Sequence, residues 1–118
     1  MQAVLNLMER PDPPTCILLP DDHSTLGALQ AAKQLNLRVP EDLSLAGYDG
    51  IRLTQMLQPR LTTIEQDTKR IGAQAAEFLI DRIENPRTAG SETATIPVKL
   101  LEGESVGICP VKTDAANS

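Results

Sequence analysis

Residues 15–35 read TCILLPDDHSTLGALQAAKQL, and the fold turns on how the break at Pro20-Asp21-Asp22 is taken. Before the break, residues 15–19 (TCILL) are short and continuously apolar, the pattern of a strand buried on both faces of a parallel sheet. After it, residues 24–35 bring Leu26, Leu29, Ala32 and Lys33 or Leu35 round successive helical turns, with Asp22 or Ser24 available as the N-cap. The unit is strand, tight turn, helix.

Downstream the unit recurs. Residues 43–47 (LSLAG) are a second apolar run, Tyr48-Asp49-Gly50 is the turn behind it, and residues 51–57 form a short helical stretch that Gln58-Pro59-Arg60 ends. Residues 61–64 (LTTI) make a third, β-branched run. Asp67 then caps a longer helix in which Ile71, Ala75, Phe78, Leu79 and Ile83 keep a 3.6-residue period until Asn85-Pro86-Arg87. Upstream, Val4, Leu5 and Met8 mark the end of a helix that Pro11, Pro13 and Pro14 break. Residues 95–101 (TIPVKLL) alternate as a strand, confined to an edge by Pro97. From Pro110 onward the tail has little to bury and is expected to fray.

Alternating strands and helices predict an α/β fold, a largely parallel sheet covered by helices, with the ligand side at the carboxyl ends of the strands. Asp21, Asp22 and His23 fall at the first such end, Tyr48, Asp49 and Gly50 at the second, and Gln66 at the third. Three polar clusters are thereby expected on one rim.

Composition narrows the function classes. At 118 residues the chain has the size of one small domain with one core. Eleven Lys and Arg against 16 Asp and Glu give a net charge of −5, and no basic block exists to grip a phosphate backbone. Cys16 and Cys109 lack the spacing of a zinc or redox site and the density of a disulfide scaffold, as suits a reducing cytoplasm. No apolar run approaches a membrane span, and residues 1–10 do not resemble an export signal.

Each polar cluster admits two readings. Asp21-Asp22-His23 could hold a divalent metal as paired carboxylates do, but consecutive residues leaving a strand diverge. The competing reading makes Asp22 the helix cap and leaves His23 solvated in the first turn. Asp49, between Gly47 and Gly50, projects an acceptor-only group that can bridge two neighbouring hydroxyls of a sugar or two N–H groups of a nucleobase; otherwise it closes an Asx-turn. Gln66 offers a donor and an acceptor to a polar ligand, or is a solvated loop residue. Nucleophilic catalysis is set aside: Ser24 adjoins the chain's one histidine in sequence, no Gly-x-Ser-x-Gly elbow occurs, and no Gly-rich phosphate loop is present.

In this order, three stretches resemble the C-terminal part of the effector-binding domain of the lactose-repressor and galactose-repressor (LacI/GalR) family of bacterial transcription regulators. They are PTCILLPDDHSTLGALQAAKQLNLRVPEDLSLAGYDGI, QPRLTTIEQDTKRIGAQAAEFLIDRIENP and the strand near TIPVKLL. The resemblance implies a periplasmic-binding-protein-like fold, two α/β subdomains with the effector in the cleft between them. It places residues 1–57 and 95–109 with the C-terminal subdomain and residues 61–85 with the N-terminal one, leaving 110–118 as a tail. By similarity Asp49 matches the acid of a Gly-aromatic-Asp-Asp motif that contacts the effector. Asp21 matches a ligand-facing position that is commonly Asn, and Gln66 a polar cleft residue. Thr68 stands where some members set an aromatic against the ligand. Leu26 and Leu57 map onto dimer contacts.

Two positions depart from the family: Asp21 replaces the usual Asn, and Gly50 the second Asp. Neither a helix-turn-helix nor the first subdomain lies in these residues. DNA is therefore expected as a partner only through a segment outside them, and the fragment, whether an engineered or natural truncation, should expose apolar faces and unpaired edges unless association covers them. The resemblance implies a cytoplasmic, homodimeric, non-enzymatic sensor of a small molecule, in the first place a sugar, with no cofactor or metal. A second reading is a fragment of a sugar-uptake solute-binding protein, which the upstream gene sequence would separate by a signal peptide in place of a helix-turn-helix. A third, enzymatic, makes Asp21, Asp22 and His23 a metal site.

Overall fold

A computed structural model describes residues 1–88 and 90–110. The described residues form two compact units: Met1–Glu65 with residues 100–110, and Gln66–Lys99. The tail expected to fray from Pro110 lies, past that residue, outside the described residues.

In the first unit the order is α1 (Gln2–Met8), β1 (Cys16–Leu18), α2 (Asp22–Gln34), β2 (Ser44–Ala46), a 3-10 helix (Arg52–Met56) and β3 (Thr63–Glu65), with β4 (Lys99–Leu101) leading the chain back. β1 and β2 are parallel, Cys16 opposite Ser44, Ile17 opposite Leu45 and Leu18 opposite Ala46. On its other side β2 meets the approach to β3 through parallel bridges at Ala46–Thr62 and Asp49–Glu65. There Gly47 N donates to the Thr62 carbonyl (3.0 Å) and Asp49 N to that of Ile64 (2.9 Å). β2 is thus a central strand, and its apolar run is buried as the sequence predicts.

The fully buried Ser105 ties that side together. Its Oγ donates to the Leu45 carbonyl (2.6 Å) and accepts from Thr62 N (2.9 Å), while its own carbonyl takes the Leu45 N–H (2.8 Å). β3 also pairs with β4. The third strand starts two residues later than predicted, because Leu61 N turns to the Thr54 carbonyl (3.2 Å) and Thr62 N to Ser105 instead of joining a ladder. The strand expected over 95–101 shrinks to Lys99–Leu101; Pro97 has no N–H to give a ladder.

The core gathers Val4 of α1, Ala28, Ala31 and Ala32 of α2, and Leu43 and Leu45 at β2, with Leu5, Met8, Ile17 and Leu29 packed around it. Of the positions that periodicity marks on α2, Ala32 is buried, whereas Leu26 and Leu29 are only half-buried. The buried positions are Asp22, Thr25, Ala28, Ala31 and Ala32. Their spacing of three and four is one helical face, and its side chains are small, which lets the helix axis sit close to the sheet.

In the second unit α3 (Thr68–Glu84) is capped by Asp67, whose Oδ1 accepts from Arg70 N (3.0 Å), as predicted. None of its residues is buried, and Leu79 and Ile83 are 61% and 68% exposed. The apolar stripe is present and only partly covered in its own unit: Ala94, Thr95 and Ile96 face Ile71, Ala75 and Phe78, which leaves Phe78 half-buried. Among the described residues no helix is long and apolar enough to cross a membrane.

One surface ion pair gives a pH-dependent signature. Arg38 Nη2 reaches Asp42 Oδ1 at 2.7 Å, and Arg38 Nε and backbone N both donate to Oδ2 at 2.8 Å. These bonds hold the Asp42 carboxyl down at about 2. A depressed acid stabilises the fold above its unfolded value, and that contribution fades as pH falls through about 2. An NMR titration is expected to find the Asp42 midpoint near 2 and, in Arg38→Ala, raised toward the ordinary 3.8 without reaching it, because the backbone N–H of residue 38 still donates to Oδ2; an unchanged midpoint in the variant would refute the assignment.

Candidate functional site

The turn after β1 assigns its two carboxylates differently from the sequence reading. Asp21 is extended (φ −155°, ψ 163°), so α2 begins at Asp22, two residues ahead of the expected Ser24, and Asp21, not Asp22 or Ser24, is its N-cap. Asp21 Oδ1 accepts from Ser24 N (2.6 Å) and Oδ2 from Ser24 Oγ (2.9 Å), while Thr25 Oγ1 donates to the Asp21 carbonyl (2.9 Å). The Ser24 backbone N–H first, then its hydroxyl, hold the Asp21 carboxyl below the usual range, so it is ionised at neutral pH. His23 is exposed.

Asp22 occupies the first helical position and is wholly buried. Its Oδ2 accepts from Ile51 N (2.8 Å) and, at 3.4 Å, from Thr54 Oγ1. Its Oδ1 accepts from Thr63 Oγ1 at 2.6 Å. The side chain expected to cap the helix instead fastens the start of α2 to the loop after β2, the 3-10 helix and β3. A carboxylate withstands burial when hydrogen-bond donors surround it, and the nearby helix N-terminus favours its charge. Spacing could not announce this role, since Thr54 beside Gln55 and Thr63 beside Thr62 look like ordinary polar positions.

Asp49 stands where the sequence placed it, beyond the end of β2. Leu18 of β1 lies opposite Ala46 of β2, and Asp21 and Asp49 each follow three residues later, so the register sets both at the same end of the sheet. The turn is sharper than an Asx-turn requires. Asp49 has φ 119° and Gly50 φ 71°, and a non-glycine residue held so costs about 1–3 kcal/mol and persists only where its surroundings enforce it. Here they do: Asp49 N is bonded to β3, and a Cβ on Gly50 would stand 2.6 Å from Glu65 Cα. Glu65, not singled out by sequence reasoning, thereby adds a carboxylate at this end. Gly47 serves close approach, since a Cβ there would collide with Asp22 Oδ1 and lie 2.8 Å from Thr25 Oγ1.

Gln66 and Thr68 belong to the second unit. Gln66 is half-buried and its carbonyl accepts from Thr68 N (2.9 Å); Thr68, exposed, opens α3. Leu26 and Leu57 are brought together. With Leu29, Leu37, Val39 and Pro59 they line an open, mostly apolar groove of about 540 Å³ on the first unit. Among the described residues no three His, Cys, Asp or Glu side chains are grouped to hold a metal ion.

Residues 1–106 match the family model of the periplasmic binding protein-like domain. The HTH-type transcriptional repressor CytR of Escherichia coli is 45% identical over 100 residues, 85% of this chain and 29% of the repressor. The HTH-type transcriptional repressor PurR of Edwardsiella ictaluri is 38% identical over 108 residues, 92% of this chain and 31% of the repressor. A LacI family transcriptional regulator from Enterococcus faecalis, solved with bound ribose, superposes with a TM-score of 0.81 at 32% identity, covering 94% of this chain and 40% of that one. The chain spans about a third of the length of the curated relatives it matches.

Proposed function

Since this chain belongs to the periplasmic binding protein-like family and corresponds to part of the effector-binding domain of LacI/GalR-type regulators, we propose that it senses a small molecule, in the first place a sugar. The observation that carries the reading is Asp49, held at positive φ at the carboxyl end of the central strand and in register with Asp21. A carboxylate fixed there accepts hydrogen bonds from two adjacent hydroxyls and rejects a ligand that lacks them. The ribose held by the Enterococcus relative supports the ligand class. Gln66 and Thr68 are further ligand contacts on the family resemblance.

The chemistry is binding without turnover. In a two-state regulator the effector acts only through unequal affinity for the two states. Binding here would bias the parent between forms that do and do not hold DNA, through a helix-turn-helix outside this chain, in the cytoplasm. The test is a thermal-shift panel of pentoses and hexoses on the full gene product carrying residues 1–118. A ligand at a hundredfold excess over its Kd adds about 2.7 kcal/mol, so a responding sugar raises the melting temperature by several degrees. A flat response across the panel contradicts the sugar reading.

Self-association follows from the Leu26 and Leu57 groove, whose apolar lining suits a two-fold seam. Leu57→Arg sets a charge in the centre of that seam. Sedimentation is expected to show the variant as monomer at concentrations where the unsubstituted protein is dimer, with its sugar response retained. An unaltered dimer places the interface elsewhere.

A further inference from the structure

We infer that the buried Asp22 is a positioning residue of the effector site: it fixes the backbone immediately after Asp49, so sugar affinity depends on a carboxylate with no accessible surface of its own. The inference rests on the assignment of Asp49 as a ligand contact.

Three observations carry it. Asp22 Oδ2 accepts from Ile51 N at 2.8 Å, and Ile51 is two residues past Asp49, at the exit of the strained Asp49-Gly50 pair. Asp22 Oδ1 accepts from Thr63 Oγ1 at 2.6 Å, on the strand whose Ile64 carbonyl receives the Asp49 N–H. The loop is therefore gripped before its turn by β3 and after it by Asp22, and Asp22 holds both grips in one frame. Lastly, Gly47 has no room for a Cβ because Asp22 Oδ1 occupies it; the entry to the same loop is shaped around the same carboxylate.

Energetics favour a positional role over a merely cohesive one. A backbone N–H deprived of its acceptor seeks another by moving, and Asp22 supplies the acceptor for Ile51 N where the chain leaves the Asp49-Gly50 turn and enters the 3-10 helix. With Asp22 gone, the Asp49-Gly50 pair loses part of what enforces its positive φ, and the Asp49 carboxylate spends more of its time away from the binding geometry. Ligand affinity falls by the fraction of molecules displaced.

The experiment measures D-ribose binding by calorimetry on the full gene product, well below every melting temperature. The variants are Asp22→Ala, Asp22→Asn, Thr63→Val, Asp49→Ala and Ser105→Ala; amide exchange at Ile51 is read alongside. Asp22→Ala is expected to weaken ribose about tenfold, the scale of one hydrogen bond to a charged group, and to speed Ile51 exchange selectively. Asp22→Asn, which keeps an acceptor for Ile51 N, recovers most of the loss. Ser105→Ala breaks an equally buried polar clamp that makes no hydrogen bond to residues 49–51; it lowers the melting temperature and leaves affinity alone. A change under threefold in Asp22→Ala overturns the inference, as does an equal loss in Ser105→Ala. Should Asp22→Ala not fold, Thr63→Val decides by the same threefold criterion. Absent ribose binding in the unsubstituted protein, or full binding in Asp49→Ala, removes the site assignment and the inference with it, an outcome distinct from the failure of Asp22 alone.

Discussion

Gly47→Ala is expected to destabilise the first unit by about 2–4 kcal/mol, a large share of the stability of a small domain. The added methyl has nowhere to go. It would meet Asp22 Oδ1 and stand 2.8 Å from Thr25 Oγ1 and 3.2 Å from Leu61 Cδ2. Neither polar atom can withdraw cheaply: Asp22 is held by Ile51 N and Thr63, and Thr25 donates to the Asp21 carbonyl. Moving the carboxylate leaves buried donors unsatisfied, which costs as much as the overlap it relieves. Gly72 is the internal comparison, because nothing lies within 4 Å of where its Cβ would stand. There, in mid-helix, alanine should stabilise by about 0.5–1 kcal/mol. Urea unfolding of both variants checks the pair, and a loss below 1 kcal/mol at Gly47 would mean that α2 and β2 leave room for a methyl between them.

Asp49→Ala is expected to weaken sugar binding about a hundredfold. Two hydrogen bonds to an ionised acceptor contribute about 1.5–3 kcal/mol each, and 2.7 kcal/mol is two decades in Kd. Stability should move the other way in a second variant. Asp49 holds φ 119°, which glycine tolerates and other residues do not. Asp49→Gly is therefore predicted to raise the unfolding free energy by about 1 kcal/mol while losing the sugar as thoroughly as alanine does. Gain of stability with loss of binding is the signature of a residue strained for its function. A variant that binds as before would show that the ligand contacts lie elsewhere.

Which of these features the sequence could announce depends on how locally each is determined. The strand within residues 15–19 and the helix behind it are legible because an apolar run and a 3.6-residue period are local signals, but the burial on both faces that the run implies is not found: Cys16 and Leu18 are exposed. The Asp67 cap is legible because one capping residue stands directly before a long periodic helix. At Asp21-Asp22 two identical side chains compete for one role, and the choice rests on the extended φ of Asp21, which composition does not reveal. The office of Asp22 is set by Ile51, Thr54 and Thr63, between 29 and 41 residues away. No window along the chain spans that distance. The inner face of α2 is only partly legible for a related reason: periodicity marks Leu26 and Leu29 along with Ala32, whereas close packing on a sheet selects Ala28, Ala31 and Ala32. The family resemblance supplies what periodicity cannot, naming Asp49 as the acid to test; its positive φ is a feature that no local pattern announces.

The decisive measurement is a map of backbone amide shifts in the isotopically labelled gene product as D-ribose is added to saturation. The largest changes are expected at Asp49, Gly50 and Ile51, with Asp21 and Gln66 next and the Leu26 and Leu57 groove undisturbed. Changes centred on that groove, with the turn after β2 unmoved, would contradict the assignment of Asp49 to the effector.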